Sequence, residues 1–169
     1  MVNTSVRSLA DAWRRGVDLP YARPALRVDG ETFSYTDLDQ RAQSMAAVIA
    51  RTDPTGAPVA VLAQRSAAAY ISMLAAVLAG RTYVPLHPAF PIDRTAGMLR
   101  RSGAATLAVG AEADGVARAV LEAGLGTPAV LFPTRDAPDW ASAISRTVVV
   151  GDVDTGSAEI EAPVAVGPD

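Results

Sequence analysis

The chain has 169 residues, of which 50% are hydrophobic and 20% are charged, and its formal net charge is −3. This composition predicts one globular domain without the basic face that nucleic-acid phosphates demand. Cysteine is absent and all 15 basic residues are arginine, which excludes thiol catalysis, disulfide bonds and lysine-dependent nucleotide or Schiff-base chemistry.

The N-terminal part of the chain predicts two helices with a β-hairpin between them. Ser8 is the predicted N-cap of the first helix, and the basic pair at 14–15 is followed by no apolar run that an export signal requires. An Asp-Gly pair at 29–30 between two β-prone runs predicts a tight hairpin turn. Thr36 is the predicted N-cap of the second helix. The apolar stripes comprise Leu9, Ala12 and Trp13 in the first helix, and Leu38, Ala42, Met45 and Ile49 in the second.

Strand and helix patterns alternate from residue 58 onward. The predicted strands are residues 58–63, 82–84, 105–110, 128–132 and 147–151, and the predicted helices are residues 67–78, 92–102, 111–123 and 139–144. We therefore expect a three-layer α/β unit, in which helices flank a largely parallel sheet. In the first of these helices Tyr70, Leu74, Val77 and Leu78 form one stripe, and because the helix is apolar nearly all round, one of its faces is expected to lie against something beyond its own sheet. In the second, Ile92, Ala96 and Leu99 are the predicted inward residues.

Residues 152–169 differ in composition from the rest of the chain. They contain acidic residues, glycines and prolines but no basic residue. We expect residues 1–151 to form the α/β unit and residues 152–169 to be an acidic linker or an extended edge segment, not a helix. The most apolar stretch, 67–78, is far shorter than the ~20 residues that span a bilayer, so the expected location is cytoplasmic with no membrane partner.

His87 is the only histidine of the chain, and it lies between Pro85 and Pro88 just after a predicted strand. A titratable side chain at the carboxyl end of a parallel strand is well placed to act on a ligand. The prolines, however, restrict the residues before them to extended backbone, and the sequence places no serine, carboxylate or lysine as a partner. A structural corner is therefore the favoured interpretation, and a catalytic imidazole is the alternative.

Other candidate sites are better explained as structure. Residues 124–129, GLGTPA, have the spacing of a dinucleotide fingerprint, but a predicted helix precedes them and a strand follows, the reverse of the required order. Asp37 and Asp39 lie in a first helical turn, where acidic residues complement the helix dipole. The arginines at 100–101 are interpreted as a solvated helix face, with phosphate binding as the alternative, and residues 93–94 as a salt-bridged helix start.

Two stretches resemble core motifs of adenylate-forming enzymes, in particular the adenylation domains of nonribosomal peptide synthetases. FSYTDLDQRA at 33–42, which contains Tyr35, corresponds to the first core motif, and residues 59–110 resemble the second with its flanks. The residues that fit the second motif in order are Gly80, Tyr83, Val84, Pro85, Leu86, Pro88, Pro91 and Arg94. His87 stands where the family most often has aspartate. This favours the corner interpretation, because a side chain interchangeable with aspartate need only accept a hydrogen bond.

The resemblance implies that the chain is the first subdomain of the adenylate-forming fold. The completed enzyme would use ATP and Mg2+ to convert an amino acid or another carboxylic acid into an acyl-adenylate, and would then transfer the acyl group to a carrier thiol. The family's phosphate-binding loop, adenine-binding segment, magnesium-binding acid and catalytic lysine all belong after PVAVGPD at 163–169. No catalytic, cofactor-binding or metal-binding residue is therefore assigned to this chain.

Three hypotheses follow from the resemblance. The first is the N-terminal part of a split or truncated adenylating enzyme, inactive alone, whose partners are a complementary C-terminal adenylation fragment and a carrier protein. The second is a non-catalytic scaffold or interaction module that retains the fold. The third is a fragment with no separate role.

The isolated chain is expected not to bind ATP at micromolar concentration and to give no ATP–pyrophosphate exchange. The sequence has no lysine and no glycine-rich loop between a strand and a helix that could hold the phosphates. Isothermal titration calorimetry with ATP and Mg2+ measures the binding directly. Micromolar binding by residues 1–169 alone contradicts the prediction.

Overall fold

The computed structural model describes residues 8–18, 23–124, 128–144, 148–150 and 159–160. The helices are α1 (Leu9–Val17), α2 (Tyr35–Thr52), α3 (Ala67–Leu78), α4 (Ile92–Ser102), α5 (Asp114–Glu122) and α6 (Asp139–Ile144). The strands are β1 (Pro24–Val28), β2 (Glu31–Ser34), β3 (Val59–Leu62), β4 (Tyr83–Leu86), β5 (Thr106–Val109), β6 (Ala129–Phe132), β7 (Val148–Val150) and β8 (Glu159–Ile160).

A six-stranded sheet in the order β4-β3-β5-β6-β7-β8 forms the centre of the fold. The strands from β4 to β7 run parallel, and β8 pairs antiparallel with β7 at the far edge. The register places Val59 of β3 opposite Tyr83 of β4 and Thr106 of β5. The largely parallel sheet predicted from the alternation of strands and helices is confirmed.

Helices cover both faces of this sheet because its inner strands are apolar on both sides. In β3, Val59 and Val61 belong to one core with α2 and α3, whereas Ala60 and Leu62 belong to a second core with α4, α5 and α6. All four β3 residues are at most 4% exposed. Two cores separated by one sheet are the predicted three-layer α/β architecture.

The β1–β2 hairpin packs on α2, outside the main sheet. Asp29 and Gly30 have positive φ angles of 52° and 81°, as the predicted tight turn requires. The cap predicted at Thr36 is wrong, because β2 runs directly into α2 and Ser34 is the N-cap. Its Oγ accepts the Asp37 N–H at 3.1 Å, and the Asp37 carboxylate accepts the Ser34 N–H at 3.0 Å, which completes a capping box.

Serines cap α1 and α3 as predicted. The Ser8 Oγ accepts the N–H of Asp11 at 3.1 Å, and the Ser66 Oγ accepts the N–H of Ala69 at 3.4 Å. Each hydroxyl satisfies one of the N–H groups that the first turn of a helix leaves without a partner.

The face that α2 turns to the core is the predicted one, since Leu38, Ala42, Met45 and Ile49 are all buried. In α3 the predicted stripe is not the buried face. Tyr70 is 37% exposed, and Leu74, Val77 and Leu78 are half-buried. The buried face of α3 consists of Ala68, Ala69, Ile71, Ser72, Ala75 and Ala76. Short side chains on this face allow the helix to lie close to the sheet and leave the large ones on its outer side.

Two smaller predictions for the second core also need correction. In α4, Ala96 and Leu99 are buried as predicted, but Ile92 is 44% exposed. Residues 91–94 are all exposed, so the helix reaches the core only after its first turn. The helix predicted for residues 111–123 begins as a turn of 3-10 helix, Ala111–Ala113, because the Ala113 N–H bonds to the Gly110 carbonyl three residues back.

The C-terminal segment is described only at β8. There the backbone is an extended edge strand paired with β7, which is one of the two alternatives predicted for residues 152–169. The other residues of that segment lie outside the described part of the chain. The division into an α/β unit and a linker therefore stays a prediction.

A nearly buried ion pair joins the two loops at the amino ends of β3 and β4. The Asp53 carboxylate accepts the N–H groups of Thr55 and Ala57, each at 3.0 Å. The Arg81 guanidinium donates to the Asp53 carbonyl at 2.6 Å and lies 3.6 Å from its carboxylate. Burial alone would raise the pKa of Asp53, but the hydrogen bonds from Thr55 and Ala57 and the charge of Arg81 together hold it below its ordinary value.

Replacing Asp53 by alanine is expected to lower the free energy of unfolding at pH 7 by about 3 kcal/mol, because it leaves Arg81 buried without its partner. A lowered pKa stabilises the fold above the unfolded-state pKa, and this contribution disappears as the pH falls through the folded-state pKa. The difference between wild type and variant should therefore shrink in acid. Urea titrations at several pH values measure both effects.

The matched control for this prediction is Glu122→Ala, which breaks the exposed pair between Arg118 and Glu122, whose side chains are 58% and 49% exposed. Solvent screening limits the expected loss to about 0.5 kcal/mol. Equal losses for the two variants at pH 7 would show that the Asp53–Arg81 pair is not a major stabilising contact.

Candidate functional site

The residues of the second core motif form a corner that begins where α3 ends. Gly80 has a φ of +71°, and its N–H donates to the Val77 carbonyl at 3.1 Å. The N–H of Arg81 donates to the Ala76 carbonyl at 2.8 Å, so a Schellman motif closes the helix. Among the described residues, apart from the glycine and its two chain neighbours, no heavy atom lies within 4 Å of the position that a Cβ of residue 80 would occupy. The left-handed backbone, rather than lack of space, is what favours glycine here.

The corner continues along β4, an edge strand of the sheet. Pro85 lies opposite Val61 of β3, and its ring is exposed. An edge strand tolerates proline because the missing N–H need not serve a second neighbouring strand. Tyr83 is half-buried two residues earlier in the same strand.

His87 lies directly after β4 with its side chain exposed. Its Nδ1 accepts the N–H of Ala89 at 3.1 Å, and its carbonyl accepts the N–H of Phe90 at 3.0 Å. An aspartate side chain accepts the N–H two residues on in the same way, so the structure contains the acceptor contact expected from an exchange of histidine and aspartate. Among the described residues, no hydroxyl or carboxylate is hydrogen bonded to the imidazole. These contacts favour the structural interpretation of His87.

Aromatic and cationic groups close the corner where α4 begins. The centroids of the His87 and Phe90 rings are 5.7 Å apart, and the Arg94 guanidinium lies 4.3 Å from the Phe90 centroid. Pro91 is the N-cap residue of α4, and its carbonyl accepts the N–H of Thr95 at 3.0 Å. With the half-buried Pro88, the motif residues from Gly80 to Arg94 therefore form one continuous turn from α3 to α4.

Tyr35, the remaining motif residue, lies apart from this corner. It is the first residue of α2, and its ring centroid lies 5.2 Å from that of Trp13 in α1. The Trp13 Nε1–H donates to the Asp39 carboxylate at 2.8 Å. Tyr35 thus helps to hold α1 against α2.

A polar cleft of about 460 Å3 lies next to the amino end of α3 and the loops that follow β5 and β6. Among the described residues that line it, the charged ones are Asp29, Glu31, Glu112 and Arg41. The Glu112 carboxylate accepts the backbone N–H of Gln64, which ties the loop after β5 to the end of β3. Open α/β sheets bind ligands at this edge, but three carboxylates against one guanidinium disfavour a phosphate group.

Sequence reasoning did not identify Glu112. The one local signal is Gly110, where a Cβ would lie 2.7 Å from the Glu112 Oε1. Gly110 therefore leaves room for the carboxylate to fold back toward β3. The Gln64 partner is 48 residues away in sequence, and no spacing rule predicts that contact.

The two acidic residues of the first α2 turn are engaged in structural contacts. The side-chain hydrogen bond from Ser34, together with the Ser34 N–H, holds the pKa of Asp37 below its ordinary value. Asp39 binds Trp13 as described above and also accepts from the Gln43 side chain. In the described part of the chain, no group of three histidine, aspartate or glutamate side chains could hold a metal ion.

The other candidates that the sequence raised are also placed by the fold. The GLGTPA stretch follows α5 and precedes β6, which is the predicted order, although residues 125–127 lie outside the described part. Residues 100–101 are exposed on the last turn of α4, and Asp93 lies in its first turn. No helix among the described residues is long and apolar enough to cross a membrane.

A second concavity of about 520 Å3 is lined by residues of α1, α3 and their neighbours, and we call it the α1–α3 groove. Residues of α1, β1, α2, α3 and the start of β4 line it, and none of the described lining residues carries a charge. The outer side of α3 contributes Tyr70, Met73, Leu74 and Val77.

Comparison with known proteins gives consistent matches. A family model described as AMP-binding enzyme matches residues 13–160. A plipastatin synthase polypeptide of Bacillus subtilis is 36% identical over 107 residues, which are 63% of this chain and 4% of that protein. Novobiocin biosynthesis protein H of Streptomyces niveus is 29% identical over 154 residues, which are 89% of this chain and 25% of that protein.

Solved structures share the fold. IdnL7 superposes with a TM-score of 0.71 at 29% identity, over 92% of this chain and 30% of that one. The Vibrio cholerae adenylation domain AlmE, solved with glycyl-adenosine-5'-phosphate, gives a TM-score of 0.66 at 21% identity and shows the fold alone. This chain covers 25% of AlmE. It therefore spans less than a third of the length of each of the four relatives named above.

Replacing His87 by aspartate is expected to change the free energy of unfolding by less than about 1 kcal/mol, because a carboxylate can accept the Ala89 N–H in its place. Gly80→Ala should cost more, about 1–2 kcal/mol, because alanine is strained in the left-handed conformation. Urea denaturation compares the two variants. A larger loss for His87→Asp than for Gly80→Ala would contradict the corner interpretation.

Proposed function

Since the chain belongs to the AMP-binding enzyme family, we propose that it is the N-terminal α/β segment of an ATP-dependent adenylating ligase. Completed by the later part of the fold, the enzyme converts an amino acid or another carboxylic acid into an acyl-adenylate. It then transfers the acyl group to a carrier thiol. The main observation behind this proposal is the family match over residues 13–160. The fold supports it, because this chain superposes on 30% of the IdnL7 chain.

The relatives support an amino acid as the substrate class. Peptide synthetases recur among them, including two plipastatin synthase polypeptides and one surfactin synthase polypeptide. A carrier protein is accordingly a proposed partner of the complete enzyme, and a cytoplasmic location is part of the same proposal.

In this proposal the described residues do not themselves form a nucleotide site. The cleft beside α3 is acidic, and the sequence contains no lysine to neutralise a phosphate. In this proposal the later part of the fold binds ATP and Mg2+. The described residues provide the sheet, its two helical layers and the turn from Gly80 to Arg94 that joins α3 to α4. Residues 1–151 are the proposed structural unit, and residues 152–169 are the proposed connection toward the phosphate-binding loop.

A non-catalytic scaffold is the second candidate function. The observation that favours it is the same acidic cleft, which disfavours the substrate nucleotide at the edge where α/β proteins bind ligands. The two candidates differ in whether the chain gains activity when the rest of the domain is supplied.

Supplying the rest of the domain is therefore expected to produce activity. The chain is co-expressed with the segment of the matched plipastatin synthase polypeptide that follows the aligned region and completes the fold. Exchange of pyrophosphate into ATP is then measured with a mixture of amino acids. We expect exchange from the pair and none from either part alone. A single-chain fusion of the two parts tests function independently of how tightly they associate.

Asp53→Ala is the control for loss of folding in this experiment. This variant has a destabilised fold, so the exchange should fall in proportion to the yield of folded protein. His87→Asp should retain the exchange, because that variant preserves the corner. A folded fusion protein without amino-acid-dependent exchange would leave the scaffold as the better account.

A further inference from the structure

We infer that the α1–α3 groove is the docking surface for an uncharged, apolar helix or strand of the adenylation fold that follows this segment. The inference rests on the proposed function, because it takes the occupant to be the remaining part of the same enzyme. It adds the place of contact and the chemistry of the contacting element.

The first argument is the distribution of side chains around α3. Its buried side, which packs on α2 and on the sheet, consists mainly of alanine, together with Ile71 and Ser72. Its outer side carries the larger residues Met73, Leu74 and Val77, which are half-buried, and Tyr70, which is 37% exposed. A helix that is apolar all round is typical of the interior of a larger protein, not of a surface. Something outside the described residues therefore covers the outer side.

The second argument is the chemistry of the groove. None of its described lining residues is charged, so it lacks the groups that bind a phosphate, a carboxylate or an acidic peptide. Its aromatic residues are Trp13, Tyr35, Tyr70 and Tyr83. The Trp13 N–H is already bonded to Asp39, so its ring contributes apolar surface rather than a free donor. An apolar protein segment suits such a surface, and tyrosine and tryptophan are common at buried interfaces.

The third argument is the position of the groove in the fold. Tyr83 of β4 lies at one end of the groove, and β4 is the edge strand of the sheet. The structural match covers 92% of this chain but only 30% of IdnL7, so most of that fold has no counterpart here. A continuation of the polypeptide or a separate fragment that completes the fold is therefore the occupant that the comparisons favour over a second copy.

The test uses the absence of cysteine from the natural chain. Leu74→Cys places one thiol on the groove side of α3, and Ile92→Cys places a matched thiol on α4, where Ile92 is 44% exposed. Each variant is prepared alone and fused to the plipastatin synthase segment described above. The rate of maleimide labelling at each site is read by peptide mass spectrometry. Fusion should slow labelling at residue 74 by about tenfold or more and leave residue 92 within about twofold.

A second pair of variants tests the same contact without a label. Leu74→Asp introduces a charge into the groove, and Ile92→Asp introduces one on the opposite layer. Co-purification of the separate parts should fall by about tenfold for the first and stay unchanged for the second, since burying an unpaired charge opposes association. Circular dichroism of the isolated variants establishes that both remain folded.

The outcomes separate the docking surface from the proposed function. Exchange activity without protection of residue 74 would overturn the docking surface and leave the function standing. Protection without exchange would support the surface and count against the function. Protection that appears in the unfused chain as its concentration rises, together with a dimer mass by light scattering, would assign the groove to a second copy and overturn the inference. A folded fusion with neither protection nor exchange would overturn both proposals.

Discussion

The complete burial of β3 is the constraint on which the rest of the structure depends. Its side chains alternate between two cores, so each face of the sheet needs its own layer of helices. Neighbouring strands on both sides satisfy its backbone, with β4 on one side and β5 on the other. The loops at the two ends of β3 must then be held beside the loops of the neighbouring strands. The Asp53–Arg81 pair holds them at one end, and the Glu112–Gln64 contact joins β3 to the β5 side at the other.

Three loops of this fold are held by the same device, a side-chain acceptor that bonds to backbone N–H groups. Asp53 serves the loop before β3 and His87 the loop after β4, while Glu112, which itself follows β5, serves the loop after β3. Backbone N–H groups in loops have no ladder partner, so an acceptor side chain replaces water there. This shared role explains how a histidine can stand at a position where the resemblance to the core motif predicts aspartate. The interaction uses a lone pair, which both side chains possess.

The α3 helix links the local packing to the proposed function. Alanine on its inner side brings the helix close to the sheet, and this close approach leaves its larger side chains on the outer side, toward the groove. The acidic cleft and the uncharged groove are therefore two different kinds of surface on one segment. The first disfavours a nucleotide, and the second favours a protein neighbour. Both properties suit a segment that supports an adenylating enzyme without contributing its reacting groups.

The sequence by itself determined the fold class, the hairpin turn, the serine caps at Ser8 and Ser66 and the corner after α3, because turns, caps and periodicity act over a few neighbouring residues. Tertiary structure alone decided which side of α3 is buried. Apolar side chains lie on all sides of this helix, so their spacing does not single out one face, and the side with mostly small residues is the one that packs closely. Tertiary structure also decided the pairing of Asp53 with Arg81, 28 residues apart, and of Glu112 with Gln64, 48 residues apart. Such contacts form when the order of strands brings distant loops together, and no local pattern encodes that order.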